Sequence, residues 1–266
     1  GNIMLALYHG ANSVCSIKVR IVLAEKNLEW EDRHVDLPAG EQFTPEYLAI
    51  NPRAIVPVLD HDGMLINESS VICEYLDGLS KYNPLLPNSP HDIAKTHIWG
   101  IYALEYHDSV NTLTFSSYQR QMLLSKTPEE LAARWAAMPD QIRAHKLKDL
   151  VELGADSNYV YVALERLARM CSDIEATLDT SSWLIGNEYS LADALLTAYF
   201  YRIECLGLTM LWEQRYPKTT AWYAQVKARE SFSIATGPWL NEEAVRKISE
   251  VGKKTFLAHN KFIKFL

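Results

Sequence analysis

The chain has 266 residues, room for one large domain or two smaller ones. Apolar residues make up 48% and charged residues 22%, which excludes intrinsic disorder, and 11 glycines with 11 prolines exclude collagen-like and low-complexity classes. A net charge of −7 argues against a nucleic-acid partner, and the longest apolar run, around Ala194–Tyr201, is far shorter than a membrane span and contains Thr197.

The first 80 residues alternate strand and helix signals. Ile3–Tyr8 reads as a short buried strand. Ser13–Lys26 reads as a helix, with Ile17, Ile21, Ala24 and Leu28 at helical spacing. Trp30–Asp36 alternates as a strand, and Thr44–Ile50 is a short helical turn. Val56–Asp60 and Met64–Asn67 flank His61-Asp62-Gly63, and an Asp-Gly pair between apolar runs is a strong hairpin signal. Glu68–Leu79 reads as a helix with Val71, Ile72, Tyr75 and Leu76 on one face. The resulting order is β-α-β-α-β-β-α, with parallel pairing first and a hairpin last.

Asn83–Pro90, with three prolines, reads as a linker, and everything after it reads as helical. Ile93–Leu124 is one long helical stretch rich in aromatics. Thr127-Pro128-Glu129-Glu130 starts a charged, periodic segment over 127–155 that looks like an insertion. Val160–Leu178 and Thr219–Arg229 are further helices. Ser190-Leu-Ala-Asp193 opens a strongly apolar helix to Leu206, with Gly207 just past its end. The tail 241–266 interleaves Arg246, Lys247, Lys253, Lys254, Lys261 and Lys264 with apolar residues. A basic amphipathic helix of this kind either lies on a membrane surface or packs on a neighbour, and packing is the expectation.

Four cysteines, Cys15, Cys73, Cys171 and Cys205, form no C-x-x-C pair, and no metal-ligand spacing occurs, so no metal is expected. Gly1-Asn2-Ile3 carries no signal-peptide pattern, and the expected compartment is the reducing cytoplasm, with no integral membrane segment.

Asn51-Pro-Arg-Ala-Ile-Val-Pro-Val-Leu59, followed by Glu68-Ser-Ser-Val-Ile72 and Tyr75-Leu76, resembles the glutathione-binding half of glutathione transferases. Trp183-Leu-Ile-Gly186 with Ser190-Leu-Ala-Asp193 resembles their helical half. The resemblance implies an α/β thioredoxin-like domain at 1–82, a linker at 83–90 and an all-α helical bundle at 91–266, carrying the 127–155 insertion and the 241–266 tail. It also implies glutathione as co-substrate, a hydrophobic small-molecule electrophile as second substrate, and a homodimer.

The resemblance places Ile55, Val56 and Pro57 against the cysteinyl part of glutathione, through the backbone N–H and C=O of Val56 and a cis prolyl bond after it. Glu68 takes the glutamyl ammonium group, and Ser69 with the helix start takes the glutamyl carboxylate; a plain helix cap would need the same residue types. Gln42 sits where relatives place polar contacts to the glycyl end, and Phe43 departs from the basic residue found there in some classes.

The loop Ala11-Asn12-Ser13-Val14-Cys15-Ser16 resembles the serine-using theta and zeta classes. A hydroxyl donor at a helix start favours the thiolate over a thiol of pKa near ~8.5. On this match Ser13 is the thiolate donor, with Asn12 or Ser16 in support. Cys15 is the rival, because omega-like members form a mixed disulfide through a cysteine at this helix start. Gly10-Ala-Asn-Ser13, Asp60-His-Asp-Gly63 and Val71-Ile-Cys-Glu-Tyr-Leu76 resemble the bacterial β-etherases, which cleave aryl ethers; the insertion also resembles the ganglioside-induced differentiation-associated branch. Aligned on the loop, Ser13 meets the etherase serine; aligned on the helix, Ser16 does. On the long helix after the linker, Tyr106 and Val110 are candidates for the electrophile pocket, although aromatics at helical spacing also build cores. A glutathione-binding protein without turnover is a third reading.

Overall fold

A computed structural model describes residues 4–266; Gly1, Asn2 and Ile3, and with them the expected start of the first strand, lie outside the described residues. The chain forms two compact units. One comprises the chain up to Gly100 with Trp183–Ala198 and Gln225–Leu240; the other comprises Ile101–Ser182, Tyr199–Ala224 and Asn241–Leu266. The strands are β1 (Leu5–His9), β2 (Glu31–His34), β3 (Val58–His61) and β4 (Met64–Asn67). The helices are α1 (Val14–Glu25), α2 (Pro45–Ile50), α3 (Ser69–Leu79), α4 (Pro90–Phe115), α5 (Tyr118–Leu124), α6 (Pro128–Ala137) and α7 (Gln141–Leu153). They continue as α8 (Asn158–Thr177), α9 (Leu191–Cys205), α10 (Met210–Glu213), α11 (Pro217–Lys227), α12 (Glu230–Thr236), α13 (Glu242–Phe256) and α14 (Asn260–Ile263).

In the first unit the described strands form one sheet in the order β2-β1-β3-β4. β1 runs parallel to β2 and antiparallel to β3, and β3 pairs antiparallel with β4. This is the expected thioredoxin-like arrangement of elements. The hairpin turns at Asp62-Gly63, with φ of 51° and 88°, the two positive values that a tight turn of this hand requires. It sets His61 opposite Met64. The Val56–Pro57 bond before β3 is cis, as expected.

α1 is buried on all its faces: Ile17, Val19, Ile21, Val22 and Leu23 are at most 1% exposed. It packs against α3 and α12. Each of these side chains contributes about 1.5–3 kcal/mol by leaving water. An all-apolar helix would serve that purpose, yet Lys18, Arg20 and Lys26 are buried in and beside it. At its C-terminal end the Lys26 ammonium donates to the carbonyls of Ser80 (2.9 Å) and Asn83 (3.2 Å) and pairs with Asp77.

The second unit is helical throughout its regular elements. The expected single helix over 93–124 is two, α4 and α5, separated at Ser116-Ser117. The Ser116 hydroxyl donates to Thr112 O (2.7 Å) and the Ser117 hydroxyl to Leu113 O (2.6 Å), an alternative to continuing the backbone ladder. α6 begins with a reciprocal cap: Thr127 Oγ1 accepts from the Glu130 N–H and Glu130 Oε1 accepts from the Thr127 N–H. Pro139 then divides the 127–155 segment into α6 and α7, because a proline disfavours helical backbone in the residue before it.

The unit's core gathers around Phe200, whose ring lies 4.9 Å from Trp212, 5.1 Å from Trp222 and 5.4 Å from Tyr223. The tail packs on this unit. Ile248, Gly252 and Phe256 of α13 are buried, and Gly252 approaches so closely that a Cβ there would lie 2.1 Å from the Leu206 carbonyl oxygen. The Lys261 ammonium donates to the carbonyls of Ala155, Asp156 and Ser157, joining the tail to the end of the 127–155 segment. Among the described residues no helix is long and apolar enough to cross a membrane.

Candidate functional site

The loop between β1 and α1 is shaped by Gly10, where a Cβ would lie 2.7 Å from Leu37 Cδ1 and 3.2 Å from the Ser13 Cβ. The Ser13 N–H donates back to Gly10 O at 3.2 Å, closing a turn that delivers Ser13 to the head of α1. Ser13 is the N-cap, with extended backbone, and its Oγ accepts from the Ser16 N–H at 3.3 Å. That bond uses a lone pair and leaves the hydroxyl proton to donate elsewhere. Ser13 and Asn12 are half-buried.

The other two candidates in this loop have different surroundings. Ser16 is 0% exposed, and its Oγ accepts from the Gly10 N–H at 3.1 Å; it fixes the loop from inside. Cys15 is the second residue of α1 and is half-buried. Cys73, Cys171 and Cys205 are buried, and burial holds all three thiols in the protonated form, pushing Cys73 up to about 12 and Cys205 to about 11.

A second element of the site precedes β3. The Ile55 carbonyl accepts from Tyr47 Oη (2.5 Å) and Asn51 Nδ2 (3.0 Å). Among the described residues nothing takes the Val56 N–H or C=O in the same way, so the peptide before the cis proline is open to pairing with an extended ligand.

The third element is the start of α3. Its N-cap, Glu68, has φ of 71° and makes no side-chain capping bond. Left-handed backbone at a glutamate costs about 1–2 kcal/mol, a form of strain that gathers at functional positions. The first N–H groups of α3 are therefore left for another acceptor, next to the largely buried Ser69. Gln42 is 6% exposed, and its Oε1 has no partner among the described residues. A buried amide in that state is set up for a polar ligand group. Open α3 amides, an unused peptide at Val56 and an unsatisfied Gln42 suit the carboxylates and amides of a small acidic peptide.

Behind the loop lies a buried network that the sequence motifs did not single out. Arg20 is 2% exposed. Its Nη1 donates to His9 Nδ1 (3.0 Å) and Gly10 O (3.1 Å), its Nη2 to Ala11 O (2.8 Å) and its Nε to Ala235 O (3.0 Å). The guanidinium lies 4.8 Å from the centre of the Trp239 ring. Because a guanidinium only donates, His9 Nδ1 must accept, and the ring proton sits on Nε2, 2.6 Å from Asp32 Oδ1. Burial lowers the His9 pKa and the Arg20 charge adds to this, against the opposing pull of Asp32. The available signal was an arginine flanked by Val19 and Ile21 in a helix whose neighbouring positions are largely apolar.

The two residues expected to line an electrophile pocket lie in the second unit. Tyr106 is 3% exposed and Val110 0%, so both side chains are buried on the inner face of α4. Burial raises the Tyr106 hydroxyl well above its ordinary range. On the same helix Ile98, Ile101, Tyr102 and Leu104 are the open ones among the large apolar residues. Apolar periodicity along α4 identified the buried face.

Comparisons with known proteins bear on the fold that carries these residues. The glutathione S-transferase N-terminal domain matches residues 12–79, and the glutathione S-transferase C-terminal domain matches residues 132–230. Protein LigF of Sphingobium sp. (strain NBRC 103272 / SYK-6) is 29% identical over 259 residues, covering 92% of this chain and 98% of that protein. The tetrachloro-p-hydroquinone reductive dehalogenase of Sphingobium chlorophenolicum is 28% identical, covering 87% of this chain and 95% of its own length. The crystal structure of the beta-etherase LigF superposes with a TM-score of 0.79 at 26% identity, covering 88% of this chain and 99% of that one. With both characteristic domains present in order on the expected fold, the chain belongs to the glutathione S-transferase superfamily of transferases.

Proposed function

We propose that this protein binds glutathione along the Val56 edge and the start of α3, and that the Ser13 hydroxyl stabilises the glutathione thiolate for attack on a hydrophobic, aromatic electrophile. The observation that carries the reading is the division of labour between the two serines of the loop. Ser16 has its oxygen engaged inside the protein, whereas Ser13 caps α1 through a lone pair and keeps a proton to donate at the positive end of the helix. Val56 serves the cysteinyl part; Glu68, Ser69 and the α3 amides serve the glutamyl part; Gln42 serves the glycyl end.

The electrophile we favour is an α-keto β-aryl ether. The sulfur–carbon bond forms at the β-carbon as the bond between that carbon and the aryl-ether oxygen breaks, and the aryloxide leaves with the electron pair and takes up a proton from water. Similarity to the beta-etherase LigF supports this choice. The reading includes a homodimer, supported by apolar side chains left open on β4 and α3 (Met64, Leu65, Val71) and on α4 (Ile101, Leu104). It also includes a cytoplasmic setting, supported by four cysteines of which none is in a disulfide.

The test is product formation from glutathione and a model aryl ether, measured for the wild type, Ser13→Ala and Cys15→Ala. The proposal expects a glutathione thioether and a free phenol, lost on Ser13→Ala and retained in Cys15→Ala. Conjugation that survives Ser13→Ala, with disulfide exchange abolished by Cys15→Ala, would instead assign a Cys15-dependent thiol transferase or lyase. The half-buried Cys15 thiol in the first turn of α1 favours that second reading over the other cysteines.

A further inference from the structure

The guanidinium of Arg20 meets the backbone of the thiol-activating loop from below. Three of its acceptors are main-chain carbonyls from two separate segments, Gly10 and Ala11 in the loop and Ala235 in α12. The Gly10 carbonyl is shared: it accepts from Arg20 Nη1 at 3.1 Å and from the Ser13 N–H at 3.2 Å. The backbone of Ser13 and the buried cation thus converge on one oxygen. His9 steadies the guanidinium from β1 and is itself tied to Asp32 on β2, whose side chain is 48% exposed.

A residue that merely filled this space would be apolar, like Val19 and Ile21 beside it. Burying a guanidinium is unfavourable unless its donors are met, so its placement here points to a polar task. Lys26, buried at the other end of the same helix, supplies an internal contrast. It also donates to carbonyls, but to Ser80 and Asn83, away from the loop.

We propose that Arg20 is a positioning residue for the thiolate. It holds the Gly10–Ala11 carbonyls so that Ser13 keeps its hydroxyl in donating geometry, and its charge adds to the positive field at the head of α1. The inference rests on the reading of Ser13 given above. It predicts that Arg20 and Ser13 act as one unit, which makes their effects non-additive.

The experiment is a double-substitution cycle, read by ultraviolet titration of the thiolate of enzyme-bound glutathione and by kcat and KM. Arg20→Lys keeps the charge and loses the fork. Its bound thiol should titrate about one pH unit higher, with kcat down about tenfold and KM for glutathione within about threefold of the wild type. In the Ser13→Ala background Arg20→Lys should change the titration by less than about twofold in equilibrium constant. Lys26→Met is the control for stability: it should lower the urea midpoint and leave the thiol titration where it is. Should Arg20→Lys fail to fold, Asp32→Ala decides, because it loosens His9 from a half-exposed site and should raise the bound thiol's titration by about threefold in equilibrium constant.

An unmoved thiol titration in Arg20→Lys, or in Asp32→Ala where that variant decides, overturns the inference. So do effects of Arg20→Lys and Ser13→Ala that simply multiply. If Ser13→Ala itself leaves the bound thiol unchanged, it is the reading of Ser13 that fails, and the Arg20 single variant still reports on its own.

Discussion

Two helix starts in the sheet unit are built in opposite ways. α1 is capped by its own sequence: Ser13 takes the Ser16 N–H, Ser16 takes the Gly10 N–H, and Arg20 braces the carbonyls before them. α3 is left uncapped behind a glutamate in left-handed backbone, with its first amides open. On the proposed function the difference separates two tasks. Holding a hydroxyl proton against one sulfur needs a rigid, fully bonded loop, whereas receiving a carboxylate needs unsatisfied donors. A helix that served both would lose its donors to its own cap.

Substitutions at the two starts should therefore fail differently. The largest effect belongs to Ser13→Ala, which removes both the cap and the thiol donor: kcat/KM for conjugation should fall about a hundredfold, and stability by about 1 kcal/mol in urea unfolding. At α3 the two quantities should part. Glu68→Gly relieves the strained backbone and should raise the unfolding free energy by less than about 1 kcal/mol, while KM for glutathione rises about tenfold. A loss of stability in Glu68→Gly would break the contrast.

Acid should loosen the α1 start alone. Burial holds His9 neutral, helped by the Arg20 charge and by His34 against the opposing pull of Asp32, with a pKa below its unfolded value of about 6.5. Its contribution to stability is fully present above pH ~6.5 and is lost as pH falls through that value toward the folded pKa. Urea midpoints followed from about pH 7.5 to 5.5 should drop for the wild type and drop less for His9→Gln. The smallest effect is expected at Ala54, whose φ of 56° is also left-handed. Ala54→Gly trades that strain against a buried methyl group and should change stability by less than about 0.5 kcal/mol with unchanged turnover, separating a backbone change from loss of function at Glu68.

Local chemistry was legible wherever it was settled by neighbours in sequence. Asp62-Gly63 announced its hairpin, Thr127-Pro128 the start of α6, and Ser13 the start of α1, because each interaction closes within a few residues. The 93–124 segment misled because apolar spacing continues through Ser116-Ser117, where hydroxyls bonded to the preceding turn accompany the break. Tyr106 and Val110 are buried as their spacing required, but periodicity finds the buried face of a helix and says nothing about which buried residues meet a ligand. The task of Arg20 was not legible because its partners lie at His9, Gly10, Ala11 and Ala235, and the last is 215 positions away. A buried ionic group is specified by tertiary contact, which no local pattern encodes.

A crystal structure of the glutathione complex tests the central claim most directly. The account predicts the sulfur within hydrogen-bond reach of Ser13 Oγ, with the cysteinyl backbone paired to Val56 and the glutamyl carboxylate on the first amides of α3. A sulfur joined to Cys15 at a disulfide distance of about 2.05 Å, or one facing away from Ser13, would contradict it.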